Sequence, residues 1–235
     1  MRRAGRVVAG LLRFLETQAR PGVTTKRLDV LAEDFIRSQG AEPAFKGYYG
    51  YPASICTSVN EGVVHGIPND RALEEGDIVG VDVGVKLDGY YSDAARTFAI
   101  GEIDKESRRL VDATREAMRR GIAKAVEGNR LSDISWAVQS YAEGNGFSVV
   151  RQYVGHGIGR NLHEEPQVPN FGRPGQGPRL VEGMTLAIEP MINAGTEEVE
   201  TLLDGWTVIT KDRRRSAHFE QTVFVGKTAP EIVTE

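Results

Sequence analysis

Two carboxylates set in strand-like sequence pose the first chemical question. In VDVGVKLDGYYSD, residues 81 to 93, Asp82 and Asp93 bracket an Asp88-Gly89 pair. Asp-Gly between alternating apolar residues signals a two-residue hairpin, because a type I′ turn needs positive φ at both central positions. Such a turn pairs Leu87 with Tyr90 and, counting back, sets Asp93 opposite Gly84 and Asp82 opposite Ala95. The aspartates then share one face as diagonal neighbours, with Cα atoms about 7 to 8 Å apart. Val79, Val81, Val83, Val85 and Leu87 point the other way, into a core, while Gly80 and Gly84 flank Asp82 and leave its face open. Two like charges converging on a cavity repel and lose hydration unless a cation lies between them. The spacing alone is served equally by a solvated sheet face carrying two scattered acids.

Later residues break that tie. TLAIEPMI puts Glu189 at the end of an apolar strand-like run and SAHFEQTVFV puts Glu220 inside another. An unpartnered carboxylate is costly in either place. GHGIGRNLHEEP adds His156 and His163 in a glycine-rich loop, and VVHGIP adds His65. Four acids and an imidazole can enclose two cations with carboxylates bridging, and mixed oxygen and nitrogen donors favour manganese, iron, cobalt or zinc over calcium or magnesium. Other chemistries fail on inspection. HEEPQ has Gln167 where a helical zinc protease needs its second histidine, and a proline follows the acids. GHGIGR breaks the dinucleotide fingerprint at Arg160, and neither a G-x-S-x-G elbow nor a phosphate-binding loop is present. Cys56, beside Ile55 in an apolar setting, reads as packed or pocket-lining and not nucleophilic.

Elements able to hold these residues are legible in outline. PGVTTKRLDVLAEDFIRSQG, from Pro21, and EGNRLSDISWAVQSYAEGNG, from Glu127, align without gaps. Leu28, Leu31, Ala32, Phe35 and Ile36 match Ile134, Ala137, Val138, Tyr141 and Ala142. Each set is one face of an amphipathic helix closed by glycine, Gly40 or Gly146. Each stretch also follows another helical segment and precedes strand-like runs. The chain therefore reads as two similar halves, about 1–100 and 101–235, within one domain spanning 1–235. The class is α+β, antiparallel strands flanked by helices. PNFGRPGQGPRL, from Pro169, is the clear loop.

Composition sets limits on partners. A formal charge of −4 and 40% hydrophobic residues describe a soluble globular protein with no electrostatic case for DNA. A single cysteine excludes an internal disulfide framework and makes a reducing compartment the plainest home. No apolar run approaches the roughly 18 to 20 residues of a membrane span. Arg2, Arg3, Arg6 and Arg13 interrupt any signal-peptide core, and Val8, Leu11, Leu12 and Leu15 at helical spacing read as a structural helix. Arg213, Arg214 and Arg215 read as a solvated turn, with transient contact to ribosomal RNA as the alternative.

The motifs VVHGIP, DVGVKLDGYYSD, GHGIGRNLHEEP, the IEP around Glu189 and the FEQT around Glu220 resemble, in that order, those of type I methionine aminopeptidases. The resemblance covers nearly the whole chain. It implies the pita-bread fold, two pseudo-symmetric αβ halves around a curved antiparallel sheet. It also implies two divalent ions per chain (cobalt, manganese, iron or zinc) held by Asp82, Asp93, His156, Glu189 and Glu220, with Asp93 and Glu220 bridging. A hydroxide shared by the ions is the implied nucleophile. Glu189 doubles as proton carrier, His163 stabilises the oxyanion, and His65 holds substrate near the departing nitrogen. The implied methionine pocket is Phe45, Tyr48, Tyr51, Cys56, Leu162 and Trp206, with Leu162 standing where relatives often carry an aromatic residue. The implied activity is removal of initiator methionine from nascent polypeptides when the second residue is small and uncharged, by a cytoplasmic monomer with no membrane partner. The resemblance sets the first residues inside what is usually the family's first helix. Two rivals share the fold: proline-directed aminopeptidases or dipeptidases, which usually carry an extra N-terminal domain, and silent relatives, which tend to lose metal ligands.

Overall fold

The computed structural model describes residues 1–235. The first half runs α1 (Arg2–Gln18), α2 (Thr25–Ser38), β1 (Glu42–Pro43), β2 (Cys56–Val59), β3 (Gly62–Val64), β4 (Ile78–Leu87) and β5 (Tyr90–Ala99). The second opens with α3 (Lys105–Ile122) and α4 (Leu131–Gly144). Its strands follow: β6 (Ser148–Val149), β7 (Gly155–Gly157), β8 (Glu164–Val168), β9 (Thr185–Ile188), β10 (Met191–Asn193), β11 (Val199–Thr201), β12 (Val208–Thr210), β13 (Ser216–His218), β14 (Gln221–Phe224) and β15 (Glu231–Ile232).

Local chemistry explains the helix ends. The Thr24 hydroxyl accepts from the Arg27 amide at 3.1 Å to open α2, and Asp104 accepts from the Ser107 amide at 2.8 Å to open α3. At the five aligned apolar positions of the two helices burial agrees. Leu28, Ala32 and Ile36 are buried like Ile134, Val138 and Ala142, while Leu31 and Phe35 are half-buried like Ala137 and Tyr141. Both helices give way to a left-handed glycine, Gly40 at φ 68° and Gly146 at φ 82°.

Between β4 and β5 the turn is the two-residue one, with Asp88 at φ 53° and Gly89 at φ 78°. Its register pairs Leu87 with Tyr90, Gly84 with Asp93 and Asp82 with Ala95, as the sequence spacing requires. Val79, Val81, Val83 and Val85 are fully buried against Val8, Leu11, Leu12, Leu15 and Leu28 of the first two helices. Each such side chain stabilises by about 1.5–3 kcal/mol on burial. That packing fixes which face of β4 carries Asp82. One expectation fails: Gly84 does not leave its face open. A Cβ there would lie 2.5 Å from a ring carbon of Phe45, so the missing side chain makes room for that ring.

The second-half sheet runs β15-β14-β9-β7-β8, with every pair antiparallel. The run expected to hold Glu220 inside one strand is split. Met191 pairs with His218 and Ile188 with Gln221, so Glu189-Pro190 lies opposite Phe219-Glu220, and both strands break together. Proline has no amide hydrogen to continue the ladder there. Glu220 pairs instead with β5, donating its amide to the Ala95 carbonyl at 2.9 Å. No helix is long and apolar enough to cross a membrane.

Candidate metal centre

The matched break and the hairpin set the acids against one another. Asp82 leaves β4 between its neighbours Cys56 and Ala95, and Asp93 follows on β5, only 4% exposed. Thr222 pins Asp93 from the second half, its hydroxyl accepting from the Asp93 amide at 3.0 Å and donating to the Asp93 carbonyl at 2.7 Å. His156 sits on β7 opposite Ala187. Asn170 donates to the Glu189 carbonyl at 3.0 Å, fixing the backbone from which that carboxylate projects.

Ligand atoms of Asp93, His156 and Glu220 all lie within 4.8 Å of one another, and Glu189 Oε1 is 3.5 Å from His156 Nε2. Asp82 Oδ1, Asp93 Oδ1 and Glu220 Oε1 are buried with no hydrogen-bond partner. Three orphaned carboxylate oxygens in one place are what a divalent cation satisfies. His156 completes the donor set: its Nδ1 lies 2.8 Å from the Gly157 carbonyl, so Nδ1 carries the proton and the Nε2 lone pair faces the acids. Burial holds that imidazole down at about 4, so it is neutral and able to ligate at neutral pH. The acids move the other way. Burial raises Asp82 to about 7, and burial with mutual repulsion pushes Asp93, Glu189 and Glu220 well above the carboxylate range. The residues fit a cation.

One cavity of about 240 Å³ gathers every residue singled out from sequence: Asp82, Asp93, His156, Glu189 and Glu220 together with His65, His163, Phe45, Tyr48, Tyr51, Cys56, Leu162 and Trp206. Its apolar wall is firmly built. The Tyr51 hydroxyl shares its one hydrogen between the Ile55 and Gly66 carbonyls, 3.1 and 3.0 Å away, and its ring meets Trp206 edge-to-face at 5.1 Å. Asp204 accepts from the amides of Trp206 and Thr207, each at 2.8 Å, shaping the turn that presents the indole. Burial raises the Cys56 thiol, with Asp82 adding to the effect, so it is a wall atom with little thiolate character.

His163 stands at the open end, its Nδ1 2.8 Å from the Tyr48 hydroxyl and its ring 4.3 Å from that of His156. His65 adopts positive φ, 58°, and packs edge-on to Tyr153. Burial lowers its imidazole to about 4. A non-glycine residue held there is strained, as residues at functional sites often are.

The segment bearing Phe45, Tyr48 and Tyr51 is tied to α2 by Glu33, which accepts from Lys46 at 2.6 Å, Arg37 at 2.8 Å and Ser54 at 3.1 Å. The Lys46 bond, followed by that of Arg37, holds the Glu33 carboxyl down at about 2. A depressed folded pKa stabilises above the unfolded value and ceases to as pH falls through the folded one. Glu33→Gln is therefore expected to lower Tm at neutral pH, by about 2–4 °C per kcal/mol lost. The gap from the parent should close between pH 4.5 and about 2. Thermal scans across that window check it, and a constant gap would contradict the assignment.

The model of metallopeptidase family M24 matches residues 1–227. The chain belongs to that family. It is 57% identical over 235 residues to a methionine aminopeptidase of Clostridium acetobutylicum, covering 100% of this chain and 94% of that protein. To methionine aminopeptidase 1 of Bacillus subtilis it is 52% identical, again over 100% and 94%. The crystal structure of the methionine aminopeptidase from Rickettsia prowazekii superposes with a TM-score of 0.99 at 48% identity, covering 100% of this chain and 95% of that one. Prolidase from Pyrococcus furiosus shares the fold alone, with a TM-score of 0.78 at 22% identity over 62% of its chain. The architecture is thus the pita-bread arrangement of this metallopeptidase family.

Two members of this site escaped sequence reasoning. Tyr49 lines the cavity, and no periodicity marks it. His218 is buried with its Nε2 3.7 Å from Glu189 Oε2. It lies two residues before Glu220 in sequence that reads as one strand, a spacing that signals a shared side, although the strand itself breaks between them. In the arginine run Arg213 and Arg214 are exposed and face Glu200 and Glu106, whereas Arg215 is half-buried, facing Asp104 and donating to the Gly76 carbonyl at 2.9 Å, so the solvated turn is met at the first two positions only.

Proposed function

We infer that this chain is a metal-dependent aminopeptidase that removes N-terminal methionine from nascent polypeptides when the second residue is small and uncharged. The observation that carries the reading is one cavity with a carboxylate-imidazole cluster at its floor and an aromatic, thiol-bearing slot as its wall. Such a slot suits an unbranched thioether, and the acids suit the free α-amine beside it. We assign two divalent ions to Asp82, Asp93, His156, Glu189 and Glu220, drawn from manganese, iron, cobalt and zinc by the mixed donor set. When bound, these ions supply Lewis acidity and make water a nucleophile near neutral pH.

The remaining steps belong to the chain's own groups. Glu189 takes a proton from the attacking water and passes it to the departing amide nitrogen. Tyr48 Oη lies 2.8 Å from His163 Nδ1; we assign the hydroxyl as the donor, so that His163 carries its proton on Nε2 and donates it as a hydrogen bond to the carbonyl oxygen as charge develops there. His65 contacts substrate on the leaving side. A second, polar groove of about 480 Å³ shares His65, His156, His163 and Glu189 with the slot and continues past Tyr153 and Gln167, offering a path for the rest of the peptide. We treat residues 1–235 as one domain acting as a cytoplasmic monomer on polypeptide N-termini. Transient contact of the exposed Arg213 and Arg214 with ribosomal RNA belongs to the same proposal, and ribosome co-sedimentation unchanged after Arg-to-Glu replacement would count against it.

Release of methionine from Met-Ala-Ser and of alanine from Ala-Pro-Ala, each with added manganese or cobalt, tests the reading. Turnover of the methionine peptide, lost with chelator and restored by metal, is the expected result. Preference for the proline peptide would make this a proline-directed enzyme, and no turnover of either would make it a binding module.

A further inference from the structure

His218 has no role in the steps above, yet it is 3% exposed and its Nε2 is buried without a hydrogen-bond partner. A polar atom of that kind is costly unless something at the site completes it. The nearest charged group is Glu189, whose Oε2 lies 3.7 Å from His218 Nε2 while Oε1 lies 3.5 Å from His156 Nε2. The carboxylate is therefore flanked by an imidazole on each oxygen. One of these, His156, has its Nδ1 engaged by the Gly157 carbonyl and presents a lone pair. His218 differs because nothing claims it.

Its backbone is clamped. The His218 amide donates to Thr97 Oγ1 at 2.9 Å, the Thr97 hydroxyl donates to the His218 carbonyl at 2.9 Å, and the residue pairs with Met191 across β10 and β13. The backbone that carries the buried ring is thus fixed, and closing the 3.7 Å between Nε2 and Glu189 Oε2 to hydrogen-bond distance satisfies the unpartnered nitrogen. We propose that His218 is a positioning residue for Glu189: its imidazole N–H holds one carboxylate oxygen, leaving the other to face the ions and the proton in transit. Outer donors of this sort fix the orientation of metal-ligating carboxylates and tune their basicity. The inference rests on the reading of Glu189 as a ligand.

Four variants test it, read by calorimetric titration of the metal-stripped protein with Mn²⁺ and by kcat and KM on Met-Ala-Ser. His218→Leu removes the donor, His218→Asn falls short of Glu189, and His218→Gln restores an amide N–H at similar reach. The expected result is a loss of about 10–100-fold in Mn²⁺ affinity or kcat for Leu and Asn, with KM little changed, and near-parental values for Gln. Parental behaviour of His218→Leu overturns the proposal, as does a Gln variant no better than Leu or Asn, which would reduce the residue to a space-filler. If the Leu variant fails to fold, the Gln-against-Asn comparison decides alone. Glu189→Gln separates the two levels of inference. A parental Mn²⁺ isotherm in that variant overturns the ligand reading and this inference with it, whereas a weakened isotherm beside an unaffected His218→Leu overturns this inference only.

Discussion

Asp93→Asn should abolish peptidase activity and metal-dependent stabilisation while making the metal-free protein more stable, two effects of opposite sign from one atom change. Asp93 is buried beside Asp82 and Glu220, and its Oδ1 has no partner. Without a cation, each carboxylate charge there loses hydration and meets like charges, so a neutral amide of the same shape relieves repulsion. Metal would reverse the balance, because a divalent cation held by Asp93 would draw on its anionic carboxylate, which an amide does not supply. Ligand at 100 times its dissociation constant stabilises the parent by about 2.7 kcal/mol, or roughly 5–11 °C in Tm at this chain length. Asp93→Asn should show almost none of that rise. Its activity should fall on the order of 10³-fold or more, since several kcal/mol of charge stabilisation go with the ions. Thermal scans with chelator and with manganese, alongside calorimetric stoichiometry, measure all three. Parental stoichiometry in the variant, or a metal-free form less stable than the parent, would remove Asp93 from the centre.

The same cluster marks how far sequence reaches. The hairpin was fully legible because its determinants are local: Asp88-Gly89 dictates the turn, the turn dictates the register, and the valines dictate the buried face. From these the shared face of Asp82 and Asp93 followed without any tertiary knowledge. The placement of Glu189 and Glu220 did not. Their projection depends on Pro190 interrupting one strand pair opposite Phe219-Glu220, and nothing local to either segment announces that they face each other. Gly84 fails for a related reason, since the ring that fills its space arrives from Phe45, some forty residues earlier. His218 is a different case. Its signal is local, a histidine two positions before a glutamate in strand-like sequence, and period-two alternation carries it. Motif resemblance supplied the roles of the pocket residues, which aromatic spacing alone does not distinguish from core.

His163→Ala should leave metal binding intact and cost about 10²–10³ in kcat, the usual loss when one oxyanion donor is removed. The separation is expected because His163 is exposed and lies beside His156, ring centroids 4.3 Å apart, without belonging to the cluster of ligand atoms formed by Asp93, His156 and Glu220. Its hydrogen bond to substrate strengthens only as the carbonyl oxygen gains charge, so KM should change little while kcat and kcat/KM fall together. Tyr48→Phe gives a sharper test of the geometry, since it keeps the aromatic wall and deletes only the hydroxyl that meets His163 Nδ1 at 2.8 Å. If that hydroxyl works by fixing which nitrogen carries the proton, the single change should slow turnover by less than His163→Ala. The double variant should then be no slower than His163→Ala alone, a non-additivity that independent contributions would not produce. A double variant slowed by the product of the two single losses would mean that Tyr48 acts on substrate directly. An unchanged rate for His163→Ala would mean that the oxyanion is stabilised by the ions without help from this imidazole.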